Sequence, residues 1–289
     1  MININFCLFF FLCLPIVASS QKLDTSSVVA VVAFREDFGK TDDNTDYGKI
    51  MAEKAMTAIE QSRRFLVIDR TDFETVLKEF ALWEGKYKDD FKKSFSDEEL
   101  ARYGQRLKAD FIATGSISTL DAPISMVTGS YKATISFSIK FINVHTNRLY
   151  ASGDFSIGSG GGVIKTFSSR GEAIAAAQGN AVEKIKLFID KYFPIYAPYL
   201  RTEERDRRES EMEKALIGAG NNKGFRIKQK LDVILWEDQK LPPEDVGDAE
   251  IIGIQPDHSV VKITSIKRGK TLETLKDKPN TLYFRTKSE

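Results

Sequence analysis

Ser27-Val-Val-Ala-Val-Val-Ala-Phe34 is an unbroken run of β-branched and small apolar residues. A strand with one wet face alternates apolar and polar positions, so a run with no polar interruption belongs to a strand covered on both faces. Polar residues follow it, and a helix is expected from about Asp46, whose short carboxylate suits an N-cap. Tyr47, Ile50, Met51, Ala55, Ala58 and Ile59 then recur at spacings of three and four, which puts them on one helical face. Phe65-Leu-Val-Ile68 reads as a second strand, Asp72 opens a helix carrying Phe73, Val76, Leu77 and Phe80, and a shorter helix covers about 97–107. Phe111-Ile-Ala-Thr-Gly-Ser-Ile117 is a third strand.

From Tyr131 the period changes. Ala133, Ile135, Phe137, Ile139 and Phe141 alternate with Thr134, Ser136, Ser138 and Lys140, the pattern of a half-buried antiparallel strand. His145-Thr-Asn-Arg148 is a turn in which Asn147 tolerates the left-handed conformation, and Leu149 to Ile157 returns as the partner strand. A long helix follows, with Ile174, Ala177, Ala181, Ile185, Phe188 and Tyr192 on one face. The fold class is therefore α/β: an αβα sandwich with a mixed sheet, spanning 21–196. Between Arg201 and Lys214, five basic and six acidic residues fill eleven of fourteen positions with little apolar face, so 197–222 is expected to be a charged linker helix. Short strand-like runs then recur to the end, and 223–289 is expected to be a small, barrel-like all-β module.

The N-terminus reads differently from the rest. Residues 6–17 are almost wholly apolar, too few to span a bilayer, and Ala18-Ser19-Ser20 follows before Gln21. An apolar core followed by small residues is the form of an export signal, with cleavage expected between Ser20 and Gln21. The two cysteines of the 289-residue chain, Cys7 and Cys13, would leave with it, so the mature chain would carry no disulfide and no thiolate site. Forty-two basic residues against 41 acidic ones leave a net charge of +1, which gives no general attraction to nucleic acid.

Several arrangements imitate chemistry without completing it. Phe38-Gly-Lys-Thr41 resembles the end of a phosphate loop, but Phe34 stands where its first glycine belongs. Asp42, Asn44, Asp46 and Glu53 keep the spacing of a calcium loop, but Tyr47 occupies the position that needs glycine. Gly158 to Gly162 lacks the dinucleotide spacing and reads as a flexible hairpin end or a hinge. The two histidines, His145 and His258, fall in or near turns, and there is no Gly-x-Ser-x-Gly elbow for a serine triad. No catalytic residue, cofactor or metal ligand is nominated. Trp83, Phe137, Phe141 and Gly160 are the candidates for an interaction surface or hairpin tip.

Three stretches carry a family resemblance. Arg64-Phe-Leu-Val-Ile-Asp-Arg-Thr-Asp-Phe-Glu-Thr-Val-Leu-Lys-Glu79 resembles the strand–helix signature of the CsgG-type family, the curli assembly and transport components of bacterial envelopes. Leu107-Lys-Ala-Asp-Phe-Ile-Ala-Thr-Gly-Ser-Ile117 is similar to its Gly-Ala-Asp strand, with Lys108 where glycine is usual. Phe141-Ile-Asn-Val-His-Thr-Asn-Arg-Leu-Tyr-Ala-Ser152 is similar to its hairpin turn, with Asn147 in place of glycine. The likeness spans about 27–193 and extends to TolB-like N-terminal domains and to lipoprotein activators of peptidoglycan synthases. It implies a non-enzymatic envelope protein of the periplasm or outer membrane, acting in assembly or secretion through protein partners and as a homo-oligomer. Family members that form pores carry an acylated cysteine and two long amphipathic hairpins. Here position 21 is Gln, only the hairpin from Tyr131 to Ile157 has suitable strands, and membrane association would run through it or through a partner. A secretion pore and a periplasmic hydrolase using carboxylates remain the alternative readings.

Overall fold

The computed structural model describes residues 27–38, 45–68, 96–160, 167–203, 213–237, 241–267 and 281–287. The apolar run becomes β1 (Ser27–Val31), which lies inside a sheet between two parallel neighbours, β3 (Phe65–Ile68) and β4 (Phe111–Asp121). A two-residue strand, β2 (Arg35–Glu36), also runs parallel to β4. β5 (Thr134–Asn143) and β6 (Arg148–Gly158) add antiparallel, giving the order β3-β1-β4-β5-β6. The sheet is mixed, as the change of period from β1 to β5 implies.

Helices cover both faces. On one side lie α1 (Tyr47–Ser62) and α3 (Arg170–Tyr192); on the other lies α2 (Asp97–Arg106). Each N-terminus is satisfied by a side chain of the type expected for a cap. Asp46 accepts from the Lys49 N–H at 2.9 Å, Ser169 from Glu172, and Ser96 and Glu99 form a reciprocal capping box. Val29 and Val31 point into the α1/α3 core with Ile117, Ile135, Phe137, Ile139 and Phe141. Ala30 points the other way, into a smaller core with Leu100, Tyr103, Ile112, Ile142 and Val144. That second face is apolar only where α2 covers it. Further along β5 it carries Ser136, Ser138 and Lys140, and Lys140 pairs with Asp97 in the first turn of α2. The β5–β6 turn uses Asn147 at φ 54°, as expected.

The C-terminal region departs from the expected linker. β7 (Tyr196–Thr202) begins four residues after α3 ends, and it is the first strand of the barrel rather than part of a helix. β8 (Lys214–Ile217) returns antiparallel to it, joined at its base by the Glu203 N–H to the Lys214 carbonyl at 3.0 Å. Of the charge run, Arg201 and Thr202 end β7 and Lys214 opens β8, while 204–212 lie outside the described residues. Charges on consecutive residues suit the connection and outer face of a hairpin as well as a solvated helix. Composition alone does not separate the two.

β9 (Lys230–Leu235), β10 (Glu244–Ile254), β11 (Ser259–Ile266) and β12 (Leu282–Thr286) complete the sheet, which closes in the order β10-β11-β8-β7-β12-β9 with every pairing antiparallel. Closure removes the exposed edges that short strands would otherwise present. The interior is filled by Ala197, Tyr199, Ala215, Ile217, Leu231, Val233, Ile251, Val261 and Phe284, small and large together, as a narrow barrel requires. Outside, Asp232 on β9 receives Arg285 of β12 at 2.7 Å, and Asp248 on β10 receives Lys287 and Ser265.

The hydrogen bond from Lys287, then that from Ser265, holds the Asp248 carboxyl below its ordinary value. A depressed carboxyl adds stability above the unfolded value near 4, and that stability is lost as pH falls through the lower folded value. The group is 46% exposed, so screening keeps the contribution below about 1 kcal/mol. Acid titration of the melting temperature from about pH 5 to about pH 2 should therefore fall less steeply in Asp248→Asn than in the native chain.

Candidate functional site

The two ends of the α/β sheet do different work. At one end the barrel is docked without a linker. Arg63 closes α1 in the left-handed conformation, φ 55°, and its guanidinium donates to the Asn221 carbonyl at 2.9 Å. Arg64, the next residue, sends its guanidinium to the last turn of α3, where it donates to the Ile189 carbonyl at 3.0 Å and to the Phe193 carbonyl, and pairs with Asp190 at 2.7 Å. A cation here answers the negative end of the helix and the carbonyls presented there. Burial draws Arg64 down to about 10, so it remains charged at neutral pH. Gly224, at φ 86°, lies so close that a Cβ would sit 2.2 Å from the Ser62 carbonyl oxygen. Only glycine meets both conditions. Phe65, Phe111, Phe141 and Tyr150 pack around Phe193, and within the barrel Trp236 meets the rings of Tyr196 and Tyr283.

At the opposite end, β4 and β5 are joined by a turn that projects from the sheet. Ile124 bridges Tyr131, and Tyr131 bridges Phe167 ahead of α3. Inside that base the Ser125 N–H donates to the Ser130 carbonyl and the Gly129 N–H to the Ser125 carbonyl, both at 2.8 Å. Gly129 takes φ 65° to make the reversal. Met126 and Val127 stand at the apex, 100% and 94% exposed, and Ile124 behind them is 52% exposed. Turns are normally polar, so two consecutive apolar residues fully in water are the least expected feature of the surface.

The residues nominated from the sequence are not gathered into one place. Phe137 and Phe141 are core residues: they belong to the buried face of β5, where the rings of Phe137 and Phe155 stack and Phe141 meets Phe188. This corrects their reading as interaction residues. It also corrects the reading of the hairpin from Tyr131 to Ile157 as a membrane face, since its apolar side is covered by α3. Gly160 is exposed just beyond the end of β6, at the apex end of the sheet. Trp83, Ser20 and Gln21 lie outside the described residues. Met126 and Val127 were missed, although Ser125 before them and Thr128-Gly129-Ser130 after them mark a turn in which apolar residues are out of place. Arg64 was quoted only as the start of a strand signature. Its task depends on α3, which is 125 residues away in sequence at Ile189.

Both histidines are paired within the fold. His145 pairs with Asp110 at 3.1 Å, whose other oxygen receives the Val28 N–H. His258 pairs with Asp257 at 2.7 Å on the barrel. The two histidines thus sit in different domains. Asp37, Asp248 and Asp257 are pulled below the ordinary carboxylate value by Arg35, Lys287 and His258 respectively. That is the direction of paired carboxylates, opposite to the raised value a general acid uses. Among the described residues no three of His, Cys, Asp and Glu form a metal-binding group, and no helix is long and apolar enough to cross a membrane.

Fold and surface thus define an α/β domain fused to a small closed barrel, with an apolar apex at its free end. No family model matches the chain, and no curated protein matches it in sequence. Among solved structures it is similar to the hypothetical protein CT253 from Chlamydia trachomatis, at 12% identity and TM-score 0.37 over 57% of this chain and 98% of that one. Lipoprotein GNA1162 from Neisseria meningitidis is similar at 14% identity and TM-score 0.36, over 55% and 94% of the two chains. The LpoB C-terminal domain from Escherichia coli is similar at 11% and 0.33, over 46% and 82%. At these scores the likenesses say nothing of what this chain binds.

Proposed function

We propose that this chain is an exported, non-enzymatic component of a bacterial envelope that acts by contact with other envelope components. Its finer role is in assembly or secretion, of the kind its CsgG-type resemblance implies. The observation that carries the reading is the contrast between the two ends of the sheet. At one end Arg63 reaches the barrel part at Asn221 and Arg64 fastens the end of α3 that leads into it, while the other end presents Met126 and Val127 to solvent. An apolar apex held on a rigid base is suited to binding, because its orientation is settled before the partner arrives. The apolar run followed by Ala18-Ser19-Ser20 supports export.

Fractionation of the native host tests this directly. The chain should be recovered in the periplasmic or envelope fractions, with an N-terminus beginning at Gln21. Recovery in the cytosol with Met1 retained would sink the reading. Turnover in a hydrolase screen, abolished by one carboxylate substitution, would replace it with the hydrolase alternative.

A further inference from the structure

We propose that the turn between β4 and β5 is a lipid-contact apex: Met126 and Val127, with Ile124 behind them, enter the interfacial layer of a bilayer and seat the α/β domain on a membrane surface. This rests on the envelope role above and names the contact through which it is exercised.

Shape and area favour lipid over protein. The apolar residues form the convex end of a narrow turn, and three aliphatic side chains fall far short of the roughly 800 Å² that each partner of a stable protein complex buries. A bilayer interface needs no complementary socket. It accepts a few apolar side chains to the depth of the headgroup–acyl boundary.

The turn is also prepared for a medium poor in water. A backbone group carried into that layer costs free energy unless it is already paired. Ser125 and Gly129 donate within the turn, the Thr128 N–H reaches the Ser125 hydroxyl, and the hydroxyls of Thr128 and Ser130 bond one another. Behind the apex come Tyr131, half-buried, and Lys132, exposed, an aromatic and a long cation at the depth where such residues settle at membrane interfaces.

Fastening at the base keeps the apex pointing outward. The Tyr131 N–H donates to the Phe167 carbonyl at 2.9 Å, the Phe167 N–H returns to the Tyr131 carbonyl at 3.3 Å, and the Lys132 N–H donates to the Pro123 carbonyl. Size sets the depth. A membrane-crossing strand needs about 9–11 residues in each direction, and here the whole excursion from Ile124 to Tyr131 takes eight. The apex therefore rests on one leaflet and does not cross it. Among the described residues, the charges flanking this end in the chain are Asp121, Lys132, Arg170 and Glu172, two of each sign, so attachment should depend little on anionic lipid or salt.

The test is flotation of the chain, as exported and processed by its host, with phosphatidylcholine vesicles and with vesicles containing phosphatidylglycerol. The native chain should float with both at similar efficiency, including in high salt. Met126→Asp and Val127→Asp should each lower the partition by roughly 10-fold or more, because each removes one apolar side chain from the buried set. Leu241→Asp, at a barrel position 62% exposed, should leave it unchanged. None of these positions belongs to a core, so circular dichroism should show the fold intact in all three.

Equal loss in Leu241→Asp would reveal general stickiness and overturn the proposal. Unchanged flotation in Met126→Asp would do the same. If no variant floats and Met126→Asp instead dissociates a dimer in sedimentation, the apex meets a second copy and the lipid contact is wrong. Recovery of a non-floating chain from the envelope fraction would remove the lipid contact and leave the envelope role standing; recovery from the cytosol would remove the role itself.

Discussion

Arg64→Met is expected to destabilise the protein by about 3 kcal/mol, measured as the shift of its urea midpoint at neutral pH. The Arg64 side chain is only 5% exposed and the Asp190 side chain 21%, so neither charge is well solvated. Removing the cation leaves Asp190 without its partner in a poorly hydrated place, and breaking a buried pair from one side costs about 3–5 kcal/mol. The lower end applies because Asp190 keeps some contact with water. The Phe193 carbonyl loses the guanidinium at the same time, while the Ile189 carbonyl keeps the Phe193 N–H at 2.9 Å. The double variant Arg64→Met with Asp190→Leu should recover most of the loss, since no unpaired charge remains. Failure of the double variant to recover would place the cost in the helix carbonyls instead. Because the α3 end runs directly into β7, the single variant should also be cut faster by protease near residues 193–196.

Phe141→Ala should cost about 4 kcal/mol, the usual range for emptying a buried aromatic site being about 3–5. Its side chain is fully buried, with ring centroids at 4.9 Å from Phe193 and 6.0 Å from both Phe65 and Phe188. Those neighbours come from β3, α3 and the segment leading into the barrel, so they cannot close the space by a local shift. Thermal melting should locate the loss in the α/β domain. A cost under about 1 kcal/mol would mean the ring is not in the core and would reopen Phe141 as a surface residue.

Much of this was legible. The unbroken run at 27–34 implies a strand covered on both faces, and β1 turns Val29 and Val31 into one core and Ala30 into the other. The cap at Asp46, the turn at Asn147 and the alternation of β5 followed from local chemistry: a short carboxylate before a helix, a residue tolerant of positive φ, a period of two. At 201–202 and at 214 the run is strand where a helix is expected, because charge density describes a wet surface and not a backbone conformation. Proline has no N–H to give to a ladder, yet Pro198 stands inside β7. In the barrel it pairs with Tyr283, and its carbonyl still accepts from Gly218 at 2.9 Å.

What the sequence determined by itself is what depends on neighbours within a few residues: strand and helix periods, caps, the β5–β6 turn, and the division into an α/β part and a β part. Only the tertiary structure decided that the second part closes into a barrel beginning at Tyr196. It alone placed Arg64 on the carbonyls of α3, and it alone buried Phe137 and Phe141 while leaving Met126 and Val127 in water. The reason is range. Hydrogen bonds and rotamer preferences act along the chain and leave a local signature, whereas burial is settled by which distant elements arrive to cover a face. An apolar residue therefore looks the same in sequence whether α3 lies over it or nothing does.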